Sequence, residues 1–206
     1  MFCRHVVDAR MPQVLASNLH SMLTKNLQMA LDVLNKGGVI AYPTEAVWGL
    51  GCDPFNPLAV EKILRLKQRP VDKGLIVVAA SMEQVAKLVR PLSAEQQATL
   101  CSTWPGATTW LLPDPDQCFP GWIRGSFSSV AVRISAHPLV RQLCVAYGGP
   151  LVSTSANPAM QPPARSRVRV MCWFGRRVDY VLPGRLGSNN KPSVIRDLQS
   201  GKVLRS

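Results

Sequence analysis

Residues 22–206 read as one α/β domain built on a twisted mixed β-sheet flanked by helices. Helix-like and strand-like segments alternate along the chain, some strand candidates follow one another directly, and no repeat or linker divides the core. Strict strand-helix alternation would imply a parallel doubly wound sheet, whereas strand-strand succession requires antiparallel pairs as well. With 206 residues, 47% of them hydrophobic, the chain is long enough to bury such a core.

The first helix is expected over 22–36, where Leu23, Leu27, Leu31 and Leu34 form one stripe that stops at Gly37-Gly38. GVIAYP follows as a strand. A second helix opens with Asn56 as cap and Pro57 in its first turn, carries Val60, Ile63 and Leu64 inward and ends at KQRP. LIVVAA (75–80) is apolar at every position, the mark of a strand buried on both faces. Capping-box spacing starts helices at Ser81 with Gln84 and at Ser93 with Gln96. Strands are expected at 107–112, 129–134, 150–155 and 179–182, with a helix over 138–147 closed by Gly148-Gly149. Residues 1–21 show no sustained period and read as a flexible extension or as a misplaced start of translation. Residues 158–177 are proline-rich, then carry Arg165, Arg167, Arg169, Arg176 and Arg177 with no acid, which suits either a polyanion face or a solvated surface.

Twenty-four Lys and Arg against 12 Asp and Glu leave a net charge of +12, pointing to RNA or to phosphate-bearing substrates without choosing between them. Six cysteines lie far apart with no CxxC, so the sequence writes neither a zinc site nor a redox motif, and reduced thiols in the cytoplasm are expected. No apolar run approaches the roughly 18 residues that span a membrane, and charges interrupt the N-terminal segment where a secretory signal would lie. Walker, dinucleotide-binding, GxSxG, HExxH and kinase patterns are absent. Any phosphate chemistry therefore falls to side-chain cations and turn backbone.

Four polar islands at strand ends remain: PTEAVWGLGCD (43–53), KQRPVDKGL (67–75), AVRIS (131–135) and STSANP (153–158). Lys67 and Arg69 are spaced to clamp an anion at a helix end, or simply to complement that helix's dipole. Strand alternation would put Ser153, Ser155 and Asn157 on one side, able to hold a ribose or phosphate; taken alone, an ordinary strand-to-turn junction is the simpler reading. Glu45 reads as a cap for the turn after it or as general polar support, and Arg133, between Val132 and Ile134, reads as a ligand for an anion or as half of a structural ion pair.

Taken in order, PTEAVWGLGCD, KQR with its following proline, WPGATT, AVR, STSAN and PSVIRD resemble the threonylcarbamoyl-AMP synthases of the YrdC family, from about Leu23 to the C-terminus. The family's KxR…SxN signature here falls on Lys67, Arg69, Ser155 and Asn157. The resemblance implies a single YrdC-like domain with an open basic concave face, of the short bacterial form. The implied reaction joins L-threonine, bicarbonate and ATP into threonylcarbamoyl-adenylate and pyrophosphate, for the modification of tRNA beside the anticodon. ATP enters as substrate with Mg and no protein-ligated metal, and tRNA and a threonylcarbamoyl-transferase complex are the implied partners of a monomeric enzyme. By the same resemblance Lys67 and Arg69 are catalytic and bind ATP together with Lys73, Ser153, Ser155, Asn157 and Arg196. Thr44, Thr109, Arg133 and Ser193 would receive threonine or bicarbonate. Where many relatives carry Asn-Pro-Leu, this chain has Asp72-Lys73-Gly74-Leu75, and residues 158–177 match the family poorly. A non-catalytic RNA-binding protein is the alternative, since +12 would attract phosphates. The neutral STSAN row and the absence of aromatic stacking strings speak against it.

Overall fold

The computed structural model describes the backbone of residues 13–189 and 192–205, with side chains from residue 24 onward. In chain order it contains α1 (Gln13–Asn35), β1 (Ile40–Pro43), β2 (Trp48–Gly51), α2 (Pro57–Lys67), β3 (Ile76–Ala79), α3 (Ala86–Val89), α4 (Ala94–Thr103), β4 (Thr108–Pro113), α5 (Gly121–Arg124), β5 (Ser129–Ile134), α6 (Pro138–Tyr147), β6 (Leu151–Val152), β7 (Thr154–Ser155), α7 (Arg167–Phe174), β8 (Tyr180–Val181), β9 (Val194–Asp197) and β10 (Val203–Arg205). Helix α1 starts at Gln13 rather than at Met22. What was expected of the N-terminal segment therefore falls, for residues 1–12, outside the described residues.

The strands form two mixed ladders, β7-β2-β1-β8 and β10-β9-β4-β5-β3-β6. In the larger one β3 runs parallel to β5 and β9 parallel to β4, while the β4–β5, β3–β6 and β9–β10 pairs are antiparallel. The run expected as one strand over 150–155 divides at Ser153: β6 pairs with β3, and β7 crosses to pair with β2. Backbone bonds at the crossing tie the ladders together, Val152 N–H to Cys52 O at 2.9 Å and Ser153 N–H to Ile76 O at 2.8 Å. Gly51 is required there, since a Cβ would lie 2.5 Å from Val152 O.

The uninterrupted apolar strands serve two cores at once. Val39, Ala41, Val77 and Ala79 point into a cluster shared with Ala59, Val60 and Ile63 of α2 and with Phe174 of α7. Their neighbours Ile40, Tyr42 and Val78 point the other way, onto Leu31 and Leu34 of α1 and Val140 and Leu143 of α6. Asn56 caps α2 by accepting from Leu58 and Ala59 N–H, and Gly148 closes α6 in the left-handed conformation. The capping box at Ser93 forms; the one at Ser81 does not, because Gln84 accepts from Ala80 N–H and donates to Cys144 O instead. On α7 Arg169 lies over Trp173, and Arg177, just beyond the helix, lies over Phe174. Among the described residues no helix is long and apolar enough to cross a membrane, and the five described cysteines are free thiols.

Candidate active site

A cavity of about 660 Å³ opens between the β1–β2 turn, the loop after α2, the loop after β7 and one face of the larger sheet. Register decides which side chains reach it. Ile76 pairs with Ala131, Val78 with Arg133, and Thr109 with Ile195, so these residues share the cavity's face of the sheet. Trp110 and Arg196 pair on the opposite face, where the Arg196 guanidinium lies 5.9 Å from the indole centroid. Arg196, expected at the nucleotide, is therefore not brought to the cavity. Arg205 of β10 pairs with Ile195 and lines the cavity in its place.

Lys67, Ser155 and Asn157, separated in sequence, form one network. The Lys67 ammonium donates to Ser155 O, to Asn157 O at 3.0 Å and to Asn157 Oδ1 at 3.2 Å. The Ser155 hydroxyl donates to the same Oδ1 at 2.6 Å, and the Asn157 amide donates to Pro158 O and Gln161 O. Lys67 is thus a buried clasp on the loop, and its charge rather than its N–H groups reaches the cavity. Burial and then the Arg69 charge depress its pKa to about 8.

Arg69 is fixed differently. Its Nε and Nη2 donate to Gly74 O at 3.2 and 2.9 Å, and Nη2 also to Lys73 O. The turn that offers these carbonyls depends on glycine: Gly74 has φ +56°, and a Cβ there would lie 2.8 Å from Arg124 O. Lys73 is exposed on the rim. Arg205 donates to Ser193 O and Oγ, and the Ser193 hydroxyl shares a 2.9 Å bond with Thr109. Ser193 lines the cavity; Thr109 stands fully buried behind it. Burial, then the charges of Arg133 and Arg69, lower the pKa of Arg205, so three guanidiniums share one field.

Thr44 closes the β1–β2 turn, its N–H and hydroxyl both directed to Val47 O. Glu45 is consequently not the turn's cap. Its Oε1 accepts from the Ser135 hydroxyl at 2.6 Å, and its Oε2 lies 3.3 Å from Arg133 Nη1. Ser153 stands at the ladder crossing and lines the cavity with Thr44, Ser155 and Asn157. Of the expected residues, Lys67, Arg69, Lys73, Ser153, Ser155, Asn157, Thr44, Arg133 and Ser193 reach one cavity; Thr109 supports it from behind and Arg196 faces away. Arg205 and the pairing of Glu45 escaped sequence reading. A lone arginine near the C-terminus has no spacing partner to mark it, and Glu45 meets Ser135 across 90 positions.

A family model described as "Telomere recombination", Sua5/YciO/YrdC, matches residues 32–206. The chain belongs to the Sua5/YciO/YrdC family. Within that family it is 56% identical over 179 residues to the threonylcarbamoyl-AMP synthase of Marinobacter nauticus, covering 87% of this chain and 94% of that one. It is 53% identical over 178 residues to the threonylcarbamoyl-AMP synthase of Pseudomonas aeruginosa strain PAO1, covering 86% and 95%. Among solved structures, P. abyssi Sua5 complexed with L-threonine superposes with a TM-score of 0.78 at 31% identity, over 84% of this chain. The Sua5/YciO/YrdC chain described here spans about half of that protein, 51% of its length. E. coli YciO, at 24% identity and TM-score 0.76 over 89% of each chain, shares the fold.

Proposed function

We propose that this protein is a threonylcarbamoyl-AMP synthase. The observation that carries the reading is the convergence of Arg69, Arg133 and Arg205 on one cavity that the neutral Ser153–Asn157 loop also lines. In the proposed reaction the threonine amine condenses with bicarbonate, losing water, to give a carbamate. A carbamate oxygen then attacks the α-phosphorus of ATP and pyrophosphate leaves, a nucleotidyl transfer. Several anions must meet, so positioning and charge neutralisation do the catalysis, and no side-chain nucleophile is needed.

Arg69 and Arg205, with Lys73 at the rim, face the triphosphate in this reading, and the Lys67 charge adds to the field from behind its loop. The loop offers the nucleotide the lone pairs of the Ser153 and Ser155 hydroxyls, because the Asn157 amide is fully engaged within the loop. Arg133 receives the carboxylate or carbamate, with Thr44 and Ser193 beside it. Among the described residues no group of three or more His, Cys, Asp or Glu side chains is placed to hold a metal. Mg is assigned to the phosphate oxygens of the substrate, since it keeps several of its waters and is commonly held through substrate phosphates. The adenylate would pass to a transferase complex acting on tRNA beside the anticodon, with this chain a cytoplasmic monomer. The L-threonine complex of P. abyssi Sua5 favours the catalytic reading over a purely RNA-binding one.

The test is pyrophosphate release by the purified protein with ATP and Mg, with and without L-threonine and bicarbonate. Release that requires both is expected. Absence of release from folded protein would overturn the proposal.

A further inference from the structure

Of the four arginines that line the cavity, Arg124 is paired with Asp114, and the other three, Arg69, Arg133 and Arg205, are not equivalent. Arg69 and Arg205 bond to carbonyl and hydroxyl oxygens; Asp72 acts on Arg69 through its field, yet neither arginine forms an ion pair with a carboxylate among the described residues. Arg133 is paired with Glu45, and both are 7% exposed. Arg69 and Arg205 are thus bare cations facing the cavity, whereas Arg133 is one half of a neutral pair.

Glu45 is itself held rigidly. Asn189 N–H donates to its carbonyl at 3.2 Å and Gly187 N–H to the carbonyl of Thr44 at 3.0 Å. A Cβ on Gly187 would come within 2.9 Å of Glu45 O, so the backbone there is closely packed. The Ser135 hydroxyl accepts from His137 N–H at 3.1 Å, which aims its own proton at Glu45 Oε1. Burial alone would raise the carboxyl's pKa, but the Arg133 charge and the Ser135 hydrogen bond outweigh it and keep Glu45 anionic. Arg133 makes one ionic contact, from Nη1 to Glu45 Oε2, and it is not a hydrogen bond: Glu45 Oε2 and Arg133 Nε are both buried without a hydrogen-bond partner, and among the described residues Nη2 makes no hydrogen bond. A buried arginine with a single ionic contact and an unpartnered N–H has capacity left for a second anion.

We infer that Glu45 is a positioning residue that sorts the anionic substrates: it holds Arg133 through the ionic contact at Nη1 and offsets its charge, so that Arg133 takes the singly charged carboxylate or carbamate while the polyphosphate is drawn to Arg69 and Arg205. This rests on the proposed synthase reading. A highly charged polyphosphate gains most from an uncompensated cation, and Glu45 repels it from the Arg133 end of the cavity. A carboxylate is small enough in charge for the directional N–H groups of a neutral pair to decide its place.

Glu45→Gln and Ser135→Ala test this in opposite ways. Glu45→Gln keeps the size of the side chain and removes its charge; the KM for L-threonine is expected to rise about tenfold, roughly the effect of 1.4 kcal/mol, while pyrophosphate binds more tightly by calorimetry. Ser135→Ala loosens the anchor and keeps the charge, so the threonine KM rises without tighter pyrophosphate binding. A merely structural role for Glu45 would weaken both ligands together, and that result, or two unchanged affinities, would overturn the inference. If Glu45→Gln fails to fold, Glu45→Asp keeps the charge on a shorter arm and is expected to behave like Ser135→Ala; weakening of both ligands there would overturn the inference as well. Should wild-type protein release no pyrophosphate with threonine and bicarbonate, the synthase reading falls, whereas the calorimetric comparison of pyrophosphate still reports on charge sorting.

Discussion

Lys67 shows how a signature residue acquires a role that its spacing does not reveal. Its ammonium is the shared donor to Ser155 and Asn157, so the KxR and SxN strings form one clasp across 90 residues. Its folded pKa, near 8, lies below the ordinary 10.5, so keeping the proton costs the fold free energy. Between those two values the unfolded chain holds the proton and the native one does not, and this group's contribution to stability rises with pH. Activity should move the other way. The neutral amine gives up its charge-assisted bonds to the loop, so kcat/KM for ATP is expected to fall along an alkaline limb centred near pH 8. Lys67→Arg, which stays charged, should lower the plateau and remove that limb; an unchanged limb in an active Lys67→Arg enzyme would refute the assignment. Arg69→Ala should reduce kcat by about 10²–10³, the scale of losing one preorganised charge contact, without change in the melting temperature beyond a few degrees. Steady-state kinetics beside thermal melting checks it.

Among the elements, short local signals were the most legible. Asn56 with Pro57, Ser93 with Gln96, and Gly148 each declared a helix end, because a cap is satisfied by atoms within four residues. Ser93→Ala should therefore cost about 1 kcal/mol in chemical unfolding and leave catalysis alone. The strands β2, β9 and β10 were not legible: WGLG contains two glycines, and VLR is three residues long, so pairing rather than propensity makes them strands. Gly74 belongs to both groups. Its place at the end of the polar island before LIVVAA was plain in the sequence, but its need for φ +56° comes from the backbone of Ile123 and Arg124 packed against it. Gly74→Ala is expected to destabilise by about 1–3 kcal/mol and to lower ATP affinity through Arg69, whose anchor is Gly74 O. A melting temperature and ATP affinity equal to wild type would contradict this.

Across the whole molecule, the crossing at Ser153 makes two ladders into one structure. The chain leaves β3's edge and joins β2's within a single residue, and Val152 and Ser153 each bond to the neighbouring ladder's backbone or loop. One urea transition is expected, coincident by tryptophan fluorescence and far-UV circular dichroism, since Trp48 reports the smaller ladder and Trp110 the larger. Separate midpoints would show that the ladders unfold independently.

The sequence by itself determined the α/β class, most helices and their caps, and the KQR, AVR and STSAN islands as one ordered set. Each of these is written within a few residues or in a period of two or 3.6, which local chemistry enforces. Only the tertiary structure decided that Arg205 rather than Arg196 enters the cavity, that Lys67 clasps a loop, and that Glu45 neutralises Arg133. Those facts depend on strand register and on contacts between residues about 90 positions apart, and a shift of register by one residue would reverse the faces without altering the local pattern.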